Sequence, residues 1–410
     1  MKETREGSPP PEGFPSAPRA TGARRPLNVL QMLHRTPLSS GSREQMLEAA
    51  QGLAARGHSA VVLTRSDAEV ARRCATLGIP FLPLKLRHAL DVGSMKRLAS
   101  VVAETGVDVV HVHCGVSLGV ALGAAALGAR FALVANRATS FRPRQILIQA
   151  LRSTRVHRVV ATSRQIREVL LATANLPPEK VVVVPGSVDL GRFDPAAARP
   201  RRARQALGVP ESARLIGHVG VREWKGWKHA LAALAAVRTA IPEAHLLLVG
   251  CVSEKQRSAV HELVREVSLA EQVTVTLATK ELPDLLAACD VVVDPSWAGT
   301  AVSGVVREAM ALSRPVVATN VGGNADLVED GVSGFLVPPR DVPTLAAAVV
   351  RVLRDGELAS RLGTAARSRV RSEFSMEMRA IRLETVYRAA LAESDEFLGK
   401  GGSTAPNRQQ

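Results

Sequence analysis

Runs of β-branched and aliphatic residues alternate with helical patterns along almost the whole chain, and this alternation limits the fold more than any single motif. In the first half the extended runs are LNVLQML (27–33), SAVVLT (59–64), DVVHVH (108–113), FALVAN (131–136), RVVATS (158–163) and VVVVP (181–185). The second half repeats the scheme with LIGHVG (215–220), AHLLLVG (244–250), VTVTLA (273–278), DVVVDP (290–295) and PVVATN (315–320). Helical periods fill the gaps, for example REQMLEAAQGLAARG from Arg43 to Gly57. Continuous apolar strands separated by helices read as parallel sheets covered on both faces, an α/β architecture.

The alternation breaks at GSVDLGRFDPAAARPRRARQALGVP, rich in Pro, Arg and Ala and without a strand, which places a linker near residue 190. The 410 residues are enough for two cores. The organisation predicted is a flexible tail over 1–25, one doubly wound domain over 26–190, a second over 191–374, a C-terminal helix over 375–398 packing back on the first domain, and a tail over 399–410. Ligands of such sheets sit beyond the carboxyl ends of the strands, often at helix N-termini. Two facing domains therefore predict a deep cleft.

Charge narrows the partners. The net charge is +15, and residues 1–190 carry 25 basic against 13 acidic side chains, compared with 28 against 25 in the rest. Nine arginines between Arg130 and Arg167 meet no acidic residue before Glu168. Such a face suits an anionic membrane surface or an acidic glycan. Nucleic acid is not expected, because aromatics are 3% of the chain and no stacking platform stands beside the arginines. From Pro143 to Arg158 the segment PRQILIQALRSTRVHR sets Ile146, Leu147, Ala150 and Leu151 on one helical stripe flanked by Arg144, Arg152 and Arg155. This stripe either packs on the sheet or meets a membrane. No apolar run approaches the roughly 20 residues of a membrane span, and the start MKETREGSPPPEG lacks a signal-peptide core, so a cytoplasmic protein is expected. The four cysteines form no CxxC and read as reduced core residues.

Four places carry candidate chemistry. VGVREWKG (219–226) sets Arg222 and Lys225 in a turn at the end of a strand, where two cations suit a pyrophosphate; two solvated loop cations are the plain alternative. AGTAVSG (298–304) is small and polar and leads into a helix, so backbone N–H groups near Thr300, Ser303 and Gly304 can hold phosphate oxygens, unless Ser303 or Thr300 is merely an N-cap. Glu308 follows one turn later in REAMALSRPVVATNVGGNADLV, where a carboxylate can accept both hydroxyls of a ribose. In the first half, SSGSRE (39–44) offers Gly41 at a helix start, and DVVHVH puts His111 and His113 on one face of a strand end. One histidine is available to a sugar or its phosphate. With no third ligand in reach a metal is not expected, and no DxD, Walker or GxGxxG pattern occurs.

Together these segments resemble the family 4 retaining glycosyltransferases of the GT-B fold, from about Pro26 to Leu398. The most specific piece is REAMALSRPVVATNVGGNADLVEDGVSGFLV, supported by LAARGH (53–58), DVVHVH, EKVVVVPGSVDLGRFDP (179–195) and VGVREWKG. The resemblance implies two Rossmann-like domains facing across a cleft, and transfer of a sugar from a nucleotide-sugar donor to a glycan or lipid-linked acceptor with retention and without a cofactor or metal. Cell-envelope, lipopolysaccharide or other polysaccharide biosynthesis is the implied setting. Carried over by position, Glu308 binds the ribose, Arg222 and Lys225 the diphosphate, His113 lies beside the transferred sugar, and Gly41 belongs to a loop over the phosphate. The chain departs from the family at Thr300, where a glutamate is usual, at SSGS in place of a double glycine, and in VGVREWKG, one residue shorter than is common. A nucleotide-sugar-binding protein without turnover and a nucleotide-sugar epimerase are the competing readings.

Overall fold

The computed structural model of the chain describes residues 25–34, 41–298 and 301–401. The first domain runs β1 (Asn28–Leu33), α1 (Gly41–Ala55), β2 (Ser59–Thr64), α2 (Ala68–Thr76), β3 (Phe81–Pro83), α3 (Val92–Thr105), β4 (Val109–Val112), α4 (Gly115–Ala126), β5 (Ala132–Arg137), α5 (Gln145–Arg152), β6 (Val156–Ala161), α6 (Arg164–Ala174) and β7 (Val181–Val183). The second runs α7 (Pro200–Leu207), β8 (Arg214–Val219), α8 (Trp227–Arg238), β9 (Ala244–Cys251), α9 (Glu254–Glu266), β10 (Val273–Leu277), α10 (Leu282–Ala287), β11 (Val291–Asp294), α11 (Gly304–Ala311), β12 (Val316–Thr319), α12 (Asn324–Leu327), β13 (Phe335–Val337), α13 (Val342–Arg354) and α14 (Gly356–Glu373). A last helix, α15 (Met376–Gly401), follows.

Both sheets are parallel, in the orders β3-β2-β1-β4-β5-β6-β7 and β10-β9-β8-β11-β12-β13. The strand order reverses between β1 and β4 in one sheet and between β8 and β11 in the other. A crevice opens at such a reversal, because the helices on either side leave in opposite directions. Helix packing on both faces explains why β4, β11 and β12 are buried at every position. The eleven predicted strands are present within a residue or two. The strands β3 and β13 were not predicted; each is three residues long at a sheet edge.

The chain crosses between domains twice, side by side. Val188 donates its backbone N–H to Phe374 O at 3.0 Å and pairs with Ser375. Helix α15 then packs against α1, where Leu383, Val386, Tyr387 and Ala390 join Leu27, Val29, Met46 and Val134 in one core. The outgoing crossing is held by α1. Ser187 N–H donates to Gln45 Oε1 (2.9 Å), the Gln45 amide donates to Ser187 O (3.1 Å), and the Ser187 hydroxyl donates to Glu48 Oε2 (2.7 Å). From α15, Arg379 donates to Gln45 O at 2.6 Å. A Cβ on Gly186 would lie 2.4 Å from Gln45 Oε1 and 2.7 Å from Arg307 Nη1, so only glycine lets the chain pass here. Away from the hinge the domains also meet at Arg164, whose N–H donates to Asp326 at 2.7 Å, and at Lys280, 3.2 Å from Glu69.

The predicted stripe on α5 is divided. Ile148 and Leu151 are buried, and Leu147 and Ala150 pack against the core, but Ile146 is 79% exposed. Of the nine arginines from Arg130 to Arg167, five have partners inside the chain. Arg152 and Arg167 donate to the carbonyls of Ala174 and Val181, Arg137 to that of Phe141, and Arg158 and Arg164 pair with Glu393 and Asp326. Arg130, Arg142, Arg144 and Arg155 stand exposed. Among the described residues no helix is long and apolar enough to cross a membrane.

Burial pushes the Glu48 carboxyl up to about 7, against the pull of Arg307, the Ser187 hydroxyl and Arg379. Between its ordinary value of 4.5 and about 7, the folded chain therefore keeps a proton that the unfolded chain has released. Stability is lost as pH rises through that window. Relative to the wild type, Glu48→Gln should gain on the order of 1–3 kcal/mol between pH 5 and 8, read by chemical denaturation. A difference that does not change with pH would contradict the assignment.

Candidate active site

The second domain supplies a basic turn. Beyond β8 the backbone turns at Gly220 (φ 104°), forms one 3-10 turn over Glu223–Lys225, and enters α8 through Gly226 (φ 73°). A Cβ on Gly226 would lie 2.0 Å from Pro295 O, so the turn closes against the end of β11 only because this residue is glycine. That contact sets Lys225 Nζ 3.9 Å from Asp294 Oδ2. Asp294 is 1% exposed. Burial alone would raise its pKa, but Lys225 and the Ser296 hydroxyl hold it below the ordinary carboxylate value, so it stays ionised. Arg222 is exposed at the start of the same turn.

Helix α11 begins beside this pair. Ser303 occupies the N-cap position with extended backbone, but its side chain makes no capping bond, and its buried hydroxyl has no hydrogen-bond partner among the described residues. No side chain therefore caps the first-turn N–H groups from Gly304 onward, and they carry the positive end of the helix dipole. The approach to α11 is fixed by the double glycine. Gly323 N–H donates to Ala301 O at 3.1 Å, and a Cβ on Gly323 would lie 2.6 Å from Val302 N. One turn in, Glu308 reaches back along its helix, with Oε1 3.8 Å from where a Cβ on Gly304 would stand. Its pKa is raised, first by burial and also by Glu44, against the pull of Arg307, Arg192 and Lys225. It is a half-buried carboxylate in a basic setting, not a solvent-facing one.

The first domain closes the other side. Gly41 is the first residue of α1, and Glu44 in its first turn receives Arg43 (2.8 Å) and Arg73 (2.6 Å) with Arg192 at 3.8 Å. His113 stands just past β4, its N–H bonded to Met32 O at 2.9 Å. His111 and His113 are both buried, with ring centroids 4.4 Å apart. Burial and Arg379 push His113 down to about 3, so its imidazole is neutral. Thr300 lies outside the described residues.

Lys225, Ser303, Gly304 and Glu308 thus converge around Asp294, and Glu308 is close enough to feel Glu44 and Arg192 of the facing side. Gly41 and His113 flank the β1/β4 reversal opposite. Sequence reading missed Asp294, Arg192 and Arg307. DVVVDP did carry a signal for the first, since an acidic residue closing an otherwise apolar strand needs a partner.

With this geometry in hand, comparison with known proteins is direct. The family model described as Glycosyltransferase Family 4 matches residues 39–192, and that described as Glycosyl transferases group 1 matches residues 213–355. A 2-deoxystreptamine glucosyltransferase of Streptomyces kanamyceticus is 33% identical over 236 residues, 57% of this chain and 58% of that protein. A D-inositol 3-phosphate glycosyltransferase of Segniliparus rotundus is 35% identical over 237 residues, 56% of this chain and 50% of that one. The chain thus matches about half the length of these relatives. Among solved structures, a glycosyltransferase of Rickettsia africae superposes with a TM-score of 0.78 at 20% identity, covering 89% of this chain and 99% of that one. HepE of Anabaena, in complex with UDP-glucose, gives 0.76 at 22%, covering 88% and 100%. These two speak for the fold alone. Both domains being matched in order, the chain belongs to the family 4 glycosyltransferases and has the GT-B fold.

Proposed function

We propose that the chain transfers a sugar from a nucleotide-sugar donor of the UDP-glucose class to an acceptor hydroxyl, with retention of configuration. The observation that carries this reading is the uncapped start of α11, with Glu308 one turn in and Lys225 pinned by Asp294 beside it. N–H dipoles and a cation at one point suit a diphosphate, and a carboxylate 3.8 Å from the Gly304 position suits a ribose diol. As the bond between the sugar and the diphosphate breaks, Lys225, Arg222 and the helix N-terminus stabilise the charge on the departing nucleoside diphosphate. The acceptor oxygen bonds to the anomeric carbon from the leaving-group face, and its proton passes to a departing phosphate oxygen. No strong protein base is required, which suits a chain with threonine at position 300. The relatives named for glucosyl and glycosyl transfer support a sugar-transfer reading.

The donor reading is tested with UDP as probe. Glu308→Ala should lower UDP affinity about tenfold to hundredfold, since each charge-assisted hydrogen bond contributes roughly 1.5–3 kcal/mol. The ligand-free variant should unfold at an unchanged temperature. Unaltered UDP affinity would return Glu308 to an ordinary surface role.

For the acceptor we favour a lipid-linked glycan met at an anionic membrane. Phe141 (49% exposed) and Ile146 (79% exposed) stand among the exposed Arg142, Arg144 and Arg155, an apolar and basic patch of the kind that enters a headgroup layer. Each arginine reaching the surface contributes about 1 kcal/mol. Vesicles with anionic lipid should sediment the chain at low salt, and the triple change of Arg142, Arg144 and Arg155 to glutamate should abolish this. Binding indifferent to lipid charge and salt would leave a water-soluble acceptor.

A further inference from the structure

The single tyrosine of the chain lies on the helix that returns from the second domain, and it is fully buried beneath the β1/β4 reversal. Its hydroxyl meets two polar side chains in a core that also holds the buried Arg379 guanidinium nearby. It is 2.8 Å from His111 Nδ1 and accepts from Gln31 Nε2 at 3.0 Å. Gln31 Oε1 in turn lies 2.7 Å from His113 Nε2. Tyr387, Gln31 and His111 are 0% exposed and His113 is 6% exposed. Burying four polar groups costs free energy that a Phe and Val core would not, so the network calls for a reason beyond packing.

The protons of this network can be counted. With the Gln31 amide turned as it stands, its carbonyl oxygen faces His113 and only accepts, so His113 Nε2 donates to it and carries the ring proton. Gln31 Nε2 occupies one lone pair of the Tyr387 hydroxyl, which can send its own proton to His111 Nδ1; the buried His111 Nε2 then has no hydrogen-bond partner among the described residues. His113 is then left with a bare lone pair on Nδ1, which is buried and has no hydrogen-bond partner among the described residues. A lone pair at the carboxyl end of β4 can accept from a hydroxyl; it repels a phosphate oxygen, which has no proton to give.

We infer that Tyr387 and Gln31 are positioning residues that hold His113 in its Nε2–H tautomer, so that its Nδ1 accepts a hydrogen bond from a hydroxyl of the donor's sugar rather than touching the phosphate. The sugar assignment rests on the donor reading above; the tautomer assignment does not. Helix α15 thereby connects its docking on the first domain to the state of a group at the cleft.

The test uses the full chain and needs no variant for its first half. Long-range proton–nitrogen correlation of the histidine rings, with the His113 signals identified by their loss in His113→Asn, should show one neutral Nε2–H tautomer. A neutral Nδ1–H tautomer in the wild type would overturn the inference. In Tyr387→Phe the Gln31 amide loses its acceptor and is free to turn, so His113 should show both tautomers. Affinity for UDP-glucose should then fall about tenfold, the worth of one hydrogen bond, with UDP affinity within about twofold. A single unchanged tautomer with an unchanged ratio of the two affinities would also overturn it. Should neither ligand bind the wild type, the donor reading fails, and the ring spectra of the wild type and of Tyr387→Phe still decide the positioning.

Discussion

Asp294 is ionised at 1% exposure, and the geometry of the cleft in the second domain depends on how that charge is compensated. An isolated buried carboxylate would take up a proton. This one draws in Lys225 from the turn after β8 and the Ser296 hydroxyl from its own strand end. Beside it, α11 starts without a side-chain cap from Ser303. One buried charge therefore orients the cation next to the uncapped helix terminus. The glycines at 226 and 323 make the approach possible, since a side chain at either would collide with backbone.

Short polar contacts tie the two domains. At the hinge, Gln45 and Glu48 of α1 grip Ser187, and Arg379 of α15 grips Gln45. Glu48 also lies within the electrostatic reach of Arg307 and Glu308, so the hinge and the ribose-binding candidate share one charge network. At the periphery, the contacts of Arg164 with Asp326 and of Lys280 with Glu69 join side chains that water can reach. Exposed pairs of this kind contribute little, about 0–1 kcal/mol each. Motion about the hinge is thus opposed mainly by the buried set.

Periodicity made the strands legible because parallel strands covered on both faces are buried at every position and therefore mostly apolar, as β11 and β12 are. It failed at β3 and β13, where three residues at an edge are too short a run to show a pattern. Glu308, Lys225 and the α11 entry stood out in the sequence because they sit in fixed local relation to a strand end. Arg192 and Tyr387 did not, since their partners lie more than a hundred residues away and only the fold brings them together. The basic run from Arg130 to Arg167 shows the converse error. Read as a free anionic-binding face, it proves to be more than half used on carbonyls and carboxylates of the chain itself, and only the fold reveals which arginines remain.

The central claim, that the cleft binds a nucleoside diphosphate sugar at the start of α11, is tested most directly by a crystal structure of the chain grown with UDP-glucose. The account predicts phosphate oxygens within hydrogen-bond distance of the Gly304 and Val305 N–H groups and of Lys225 Nζ, with the ribose hydroxyls on Glu308. A nucleotide bound away from α11, or lying in the cleft with its ribose turned from Glu308, would contradict it.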